Sequence, residues 1–140
     1  MTLAAAAVLL AAGSPLRAQA RIEREAFTWS GLIADGRWIG VSSLSGNIEV
    51  TRGAGDKVEV IALRRTRRGD PDYVRFEVRR HGSEDQDVLI CALWGQNSSC
   101  DERGYRSRND RASRENDVVV DFAVHVPRGV KVSAHTVNGE

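Results

Sequence analysis

The chain has almost no lysine, few cysteines and no long apolar run, and each shortage narrows what it does. Lys57 and Lys131 are its only lysines; arginine supplies the rest of the 20 basic side chains, which face 19 acidic ones. A formal net charge of +1 offers none of the clustered positive surface that nucleic-acid binding requires. The longest apolar run, Leu3 to Ala12, is about half the ~20 residues of a spanning helix, which points to a peripheral rather than an integral relation to a membrane. Cys91 and Cys100 are the only cysteines. They lack C-x-x-C spacing, and two thiolates without neighbouring histidines fall short of the four ligands of structural zinc. No window after Ala20 keeps a helical period for three turns, which excludes an α-helical domain.

What the first twenty residues do have is the layout of an export signal. The apolar run is broken by Gly13, Ser14 and Pro15, and Ala18-Gln19-Ala20 supplies the small-x-small pattern of a cleavage site. Residues 1–20 are therefore predicted to be a helical signal peptide, and residues 21–140 one exported domain, periplasmic or extracellular. Met1-Thr2 carries no basic side chain, a departure from the usual signal. With only Arg17 in the leader, the mature part balances at 19 basic against 19 acidic groups. A cysteine pair nine positions apart in such a domain points to a Cys91–Cys100 disulfide, the alternative being two unpaired thiols.

The mature chain alternates with a period of two. Strands are expected at Trp38–Val41, Asn47–Thr51, Lys57–Ala62, Tyr73–Val78, Val88–Leu93 and Val118–Val126, with alternation resuming at Val130–Ala134. The arginines at 64, 65, 67 and 68, followed by Asp70 and Asp72, are expected to form a solvated turn. A repeat refines the picture: Ile39-x-Val41-x-x-Leu44-x-Gly46 returns as Val132-x-Ala134-x-x-Val137-x-Gly139. Short strands punctuated in this way suit stacked coils. The expected fold is all-β and β-solenoid-like, with a β-sandwich as the alternative. Because Thr136-Val137-Asn138-Gly139-Glu140 matches the turn before the strand at Asn47, the domain is expected to be truncated at its C-terminal end. Its last strand would then be an edge open to self-association.

Phe27-x-Trp29-x-Gly31, Gly36-x-Trp38-Ile39-x-Val41, Gly46-Asn47-Ile48-x-Val50 and Gly55-Asp56-x-Val58-x-Val60-x-Ala62 resemble a bacterial adhesin-like domain family of unknown function. Val124-x-Val126-Pro127-x-Gly129-Val130-x-Val132 does so too. The resemblance implies an exported envelope protein built as a β-solenoid-like stack, and it brings no catalytic residues with it. The insertion between Leu93 and Val118 departs from the family pattern.

Two functions from different classes remain. The first is a non-catalytic envelope module that binds or scaffolds a glycan or protein, with no cofactor and no metal. The second is a carbohydrate-active enzyme, a polysaccharide lyase or glycosidase, which needs paired acidic groups or a base on one face. Its candidates are Asp70, Asp72, Glu84, Asp85, Asp87 and Asp121, most of them in turns, where acidic residues serve turn geometry. His81, His125 and His135 are far apart and show no metal-ligand spacing. There is no G-x-S-x-G, and Gly53-Ala54-Gly55 precedes a strand rather than a helix. The segment Gly95 to Asp117 balances five arginines (103, 106, 108, 111 and 114) against Asp101, Glu102, Asp110, Glu115 and Asp117. A loop of this length is often functional. Tyr105, Arg106 and Arg108 are its candidate binding residues, because the guanidinium fork pairs bidentately with anionic groups; the alternative is a solvated linker. N-terminal sequencing of exported protein is expected to read from Arg21, and retention of Met1 would contradict the leader.

Overall fold

The computed structural model of the chain describes residues 22–108 and 115–139. The leader, Arg21, Asp110, Arg111, Arg114 and Glu140 lie outside the described residues. The described chain is all-β, with ten strands: β1 Ile22–Gly31, β2 Trp38–Ser45, β3 Ile48–Arg52, β4 Val58–Arg68, β5 Val74–His81, β6 Asp87–Trp94, β7 Ser98–Asp101, β8 Gly104–Ser107, β9 Asp117–Val126 and β10 Lys131–Asn138. Two single 3-10 turns, Pro71–Tyr73 and Ser83–Asp85, are its only helical pieces among the described residues.

The strands form two mixed four-stranded sheets and a separate hairpin, none closed into a barrel. One sheet, called A here, has the order β1-β4-β9-β3; the other, B, has the order β10-β2-β6-β5; β7 pairs with β8. Within A, β1, β4 and β9 are antiparallel and β3 joins β9 in parallel. Within B, β10, β2 and β6 run parallel and β5 turns back against β6.

A single core cluster joins the inward faces of both sheets. Strand β9 shows why. Its alternate residues Val118, Val120, Phe122, Val124 and Val126 are all buried, while every residue between them is only half-buried, as period-two geometry dictates. Facing it are Ile39 and Val41 of β2 and Val88, Ile90 and Ala92 of β6. The Trp94 indole joins this core and satisfies its own N–H by donating to the Val118 carbonyl oxygen at 3.0 Å. At the β1/β5 end the Phe27 and Phe76 rings stack at 5.0 Å, and Phe76 meets Phe122 edge-on at 6.2 Å.

The internal repeat is a pairing register. Val132 lies opposite Ile39, Ala134 opposite Val41 and Asn138 opposite Ser45, so equivalent residues of the two copies are neighbours across β10 and β2. Both copies end at a glycine, and the two glycines meet. The Gly46 N–H donates to the Asn138 carbonyl at 2.9 Å, and the Thr136 hydroxyl donates to the Gly46 carbonyl at 2.9 Å. Gly46 has φ +120 and its backbone packs on the Val120 carbonyl, leaving no room for a Cβ.

Three expectations need correction. The arginine cluster at 64–68 is strand rather than turn, because β4 continues to Arg68, paired with β1 as far as Arg65 and with β9 to its end. Side-chain partners make this tolerable: Arg64 donates to the Pro71 carbonyl at 2.7 Å and Arg65 donates to Asp121 at 2.8 Å. Strand β1 begins at Ile22, before any strand read from the sequence. The segment Gly95 to Asp117 is not an unstructured loop, since it contains the β7–β8 hairpin.

Ile90 is 0% exposed whereas Val137 of β10 is 60% exposed. Ile90→Ala is therefore expected to cost about 2–5 kcal/mol in denaturant unfolding, and Val137→Ala less than about 0.5 kcal/mol.

Candidate functional site

Strand β6 has no polar face. Every residue from Asp87 to Trp94 is buried, so Leu89, Cys91 and Leu93, which point away from the core, need a cover of their own. The β7–β8 hairpin supplies it. Leu89, Cys91, Leu93 and Cys100 form a second buried cluster against which Tyr105 packs. Cys91 and Cys100 are joined by a disulfide, with Cα atoms 6.2 Å apart, inside the ~4.4–6.8 Å range such a bond requires.

The hairpin is held at several further points. The Tyr105 hydroxyl accepts from the Trp94 backbone N–H at 3.3 Å, and its ring meets the Trp94 ring edge-on at 6.1 Å. From β5, Arg75 donates to the Ser98 carbonyl at 3.0 Å and also to the Gly95 carbonyl. Arg79 donates to the Cys100 carbonyl at 3.2 Å. The turn is set by Asp101, whose carboxylate accepts from the Arg103 N–H at 2.8 Å.

Beside the hairpin, on the outer face of sheet B, lies a cavity of about 240 Å³. The outward residues of β2 are Trp38, Gly40 and Ser42, and Gly40 lies opposite Leu89 on β6 and Ser133 on β10. A Cβ on Gly40 would sit 2.8 Å from Leu89 Cδ1, so glycine here lets the Leu89 side chain approach the β2 backbone, and both residues line the depression. Ser133 and His135 of β10 form one wall; His81, Asp101, Glu102 and Gly104 form the opposite rim. An added Cβ on Gly104 would lie 3.8 Å from the His135 ring, which places the hairpin tip close to β10.

The polar groups in and around the cavity differ in how they are held. His81 Nδ1 pairs with Glu102 Oε1 at 2.8 Å, and Arg106 pairs with Asp101 at 3.2 Å. The Lys131 ammonium lies 5.5 Å from the centre of the Trp38 ring. The Trp38 backbone N–H donates to the buried Asp87 carboxylate at 2.9 Å, which fixes the start of β2. Ser42 is 2% exposed, and its hydroxyl has no hydrogen-bond partner among the described residues. A buried hydroxyl left this way costs about 1–3 kcal/mol, so its place in the cavity lining calls for an explanation.

The residues singled out from sequence are distributed as follows. Tyr105 is on β8 and half-buried; Arg106 and Arg108 are exposed, and the Arg108 N–H donates to the Asn97 carbonyl at 3.3 Å. The candidate carboxylates do not share a face. Asp70 accepts from the Asp72 N–H, and Asp72 pairs with Arg64. Glu84 and Asp85 occupy an exposed turn, Asp87 caps β2, and Asp121 bridges Arg65 and the Asn47 N–H. His125 pairs with Thr51 at 2.7 Å on sheet A. Sequence reasoning missed that His81 and His135 come to one cavity; the only signal was a glycine inside the strand Trp38-Ile39-Gly40-Val41. Among the described residues no group of three or more His, Cys, Asp or Glu is placed to hold a metal ion, and no helix is long and apolar enough to cross a membrane.

No protein-family model, curated protein or solved structure matches the chain.

Closing a loop as short as Cys91–Cys100 contributes roughly 2–3 kcal/mol by the chain-entropy estimate. Replacing both cysteines by alanine is expected to lower unfolding free energy by about that amount. Thiol titration of the denatured, unreduced protein should find none reactive. Tyr105→Ala is expected to destabilise the fold as well, by uncovering Leu93 and orphaning the Trp94 N–H.

Proposed function

We propose that the protein is an exported, non-catalytic module of the bacterial envelope that binds a glycan or a protein partner. The observation that carries this reading is the Cys91–Cys100 disulfide in a chain that opens on a leader-like segment, because disulfides persist in oxidising, exported compartments. Binding is assigned to the outer face of sheet B, which carries the hairpin with its exposed Arg106 and Arg108 and the cavity at the hairpin's tip. The non-catalytic reading is supported by the structural partners of Asp70, Asp72, Asp87 and Asp121, each engaged in a turn, cap or ion pair.

The same proposal includes the adhesin-like resemblance and a coil-like build. In support of the coil, the two copies of the repeat pair in parallel and in register, and both chain corners fall at Gly46 and Gly139, one on the other. The shared core of sheets A and B fits a sandwich description equally well, and parallel stacking of the repeat is what favours the coil.

Purified protein is expected to be retained on isolated envelope material. Arg106→Ala combined with Arg108→Ala should weaken that retention several-fold with no drop in thermal midpoint, because both side chains are exposed. Turnover of a polysaccharide by the wild-type protein would overturn the non-catalytic reading.

A further inference from the structure

We infer that the cavity beside Trp38 is a binding site for a single neutral pyranose ring of a glycan. The inference rests on the envelope-binding reading and names the ligand class of one of its surfaces. Four observations lead to it.

The first is size. A cavity of about 240 Å³ falls below the ~300–1,000 Å³ of pockets that take drug-sized molecules. It suits one six-membered ring rather than a fused or multi-ring ligand. Gly40 lies on its floor, between Leu89 of β6 and Ser133 of β10.

The second is the surface it offers. Trp38, 41% exposed, presents most of the apolar area, and Leu89, 6% exposed, adds a small patch. The C–H face of a sugar ring packs on an indole as a weak hydrogen-bonding partner, and a tryptophan supplies that contact at little entropic cost.

The third is charge. The lining holds two carboxylates, Asp101 and Glu102, and no lysine or arginine, so an anionic ligand meets like charge. A cation is opposed too, because it would meet the Lys131 ammonium, 5.5 Å from the centre of the Trp38 ring, as like charge. A neutral ligand remains.

The fourth is hydrogen bonding. Glu102 and Asp101 accept, Ser133 and His135 donate or accept, and the buried Ser42 hydroxyl lacks a partner among the described residues. A ligand whose ring bears several hydroxyl groups is both donor and acceptor around its whole edge, which matches this mixed rim better than an apolar ring would.

The test is saturation-transfer NMR of the full chain with glucose, galactose, mannose and N-acetylglucosamine, alongside choline and glucuronate. At least one neutral sugar should bind saturably. Gly40→Leu, which fills the floor, should weaken binding by about tenfold or more, as expected when ring contact and hydrogen bonds are lost together. Since Gly40→Leu presses on Leu89 and can disturb folding, His135→Ala provides a rim change outside the core; it should weaken binding several-fold at an unchanged thermal midpoint. Preference for choline or glucuronate, no binding of any neutral sugar, or binding untouched by both variants would each overturn the inference. Retention on envelope material separates the two levels. Wild-type retention without sugar binding overturns the pocket alone, whereas absence of both overturns the module reading as well.

Discussion

Burial of β6 on both faces is the constraint on which the rest of the molecule depends. A strand of eight buried residues cannot lie on a one-layer surface, because its outward side chains would face water. One face completes the core between the sheets, through Val88, Ile90 and Ala92. The other demands the β7–β8 hairpin, which packs over Leu89 and Leu93 through Cys100 and Tyr105. The disulfide and the β5 arginines hold it there. Once the hairpin is fixed over β6, its edge beside β2 and β10 leaves the cavity floored by Gly40. Fold, staple and candidate site are consequences of one apolar strand.

Much of the architecture was legible in the chain because local pattern and global packing agree. The valines of β9 alternate in sequence as they do in burial. The repeat starting at Ile39 and Val132 proved to be a register, since stacking the copies in parallel puts like residues side by side. Strand β1 was missed because its pairing with β4 slips between Ile22 and Glu25 and again between Glu25 and Phe27; each such irregularity breaks the period-two signal. The arginines of β4 were misread because their strand role depends on partners far along the chain, Asp121 above all.

The site was less legible for a different reason. Its residues come from positions around 40, 81, 89, 102 and 135, and nothing local links them. Only the pairing of β10 with β2 and of β2 with β6, together with the disulfide, brings His135, Gly40 and Leu89 under Glu102. Tyr105 illustrates the converse. Its place in an arginine-rich segment suggested a contact residue, whereas the ring supports Trp94 and the hairpin. Stability and recognition therefore divide along the hairpin: its inner face holds β6 down, and its tip and rim face the cavity.

Amide hydrogen exchange read residue by residue tests the doubly covered strand most directly. With the disulfide intact, the amides of Leu89 to Leu93 are predicted to be among the slowest in the protein, exchanging only on global unfolding. Exchange of those amides as fast as that of the edge strand β10 would contradict the account.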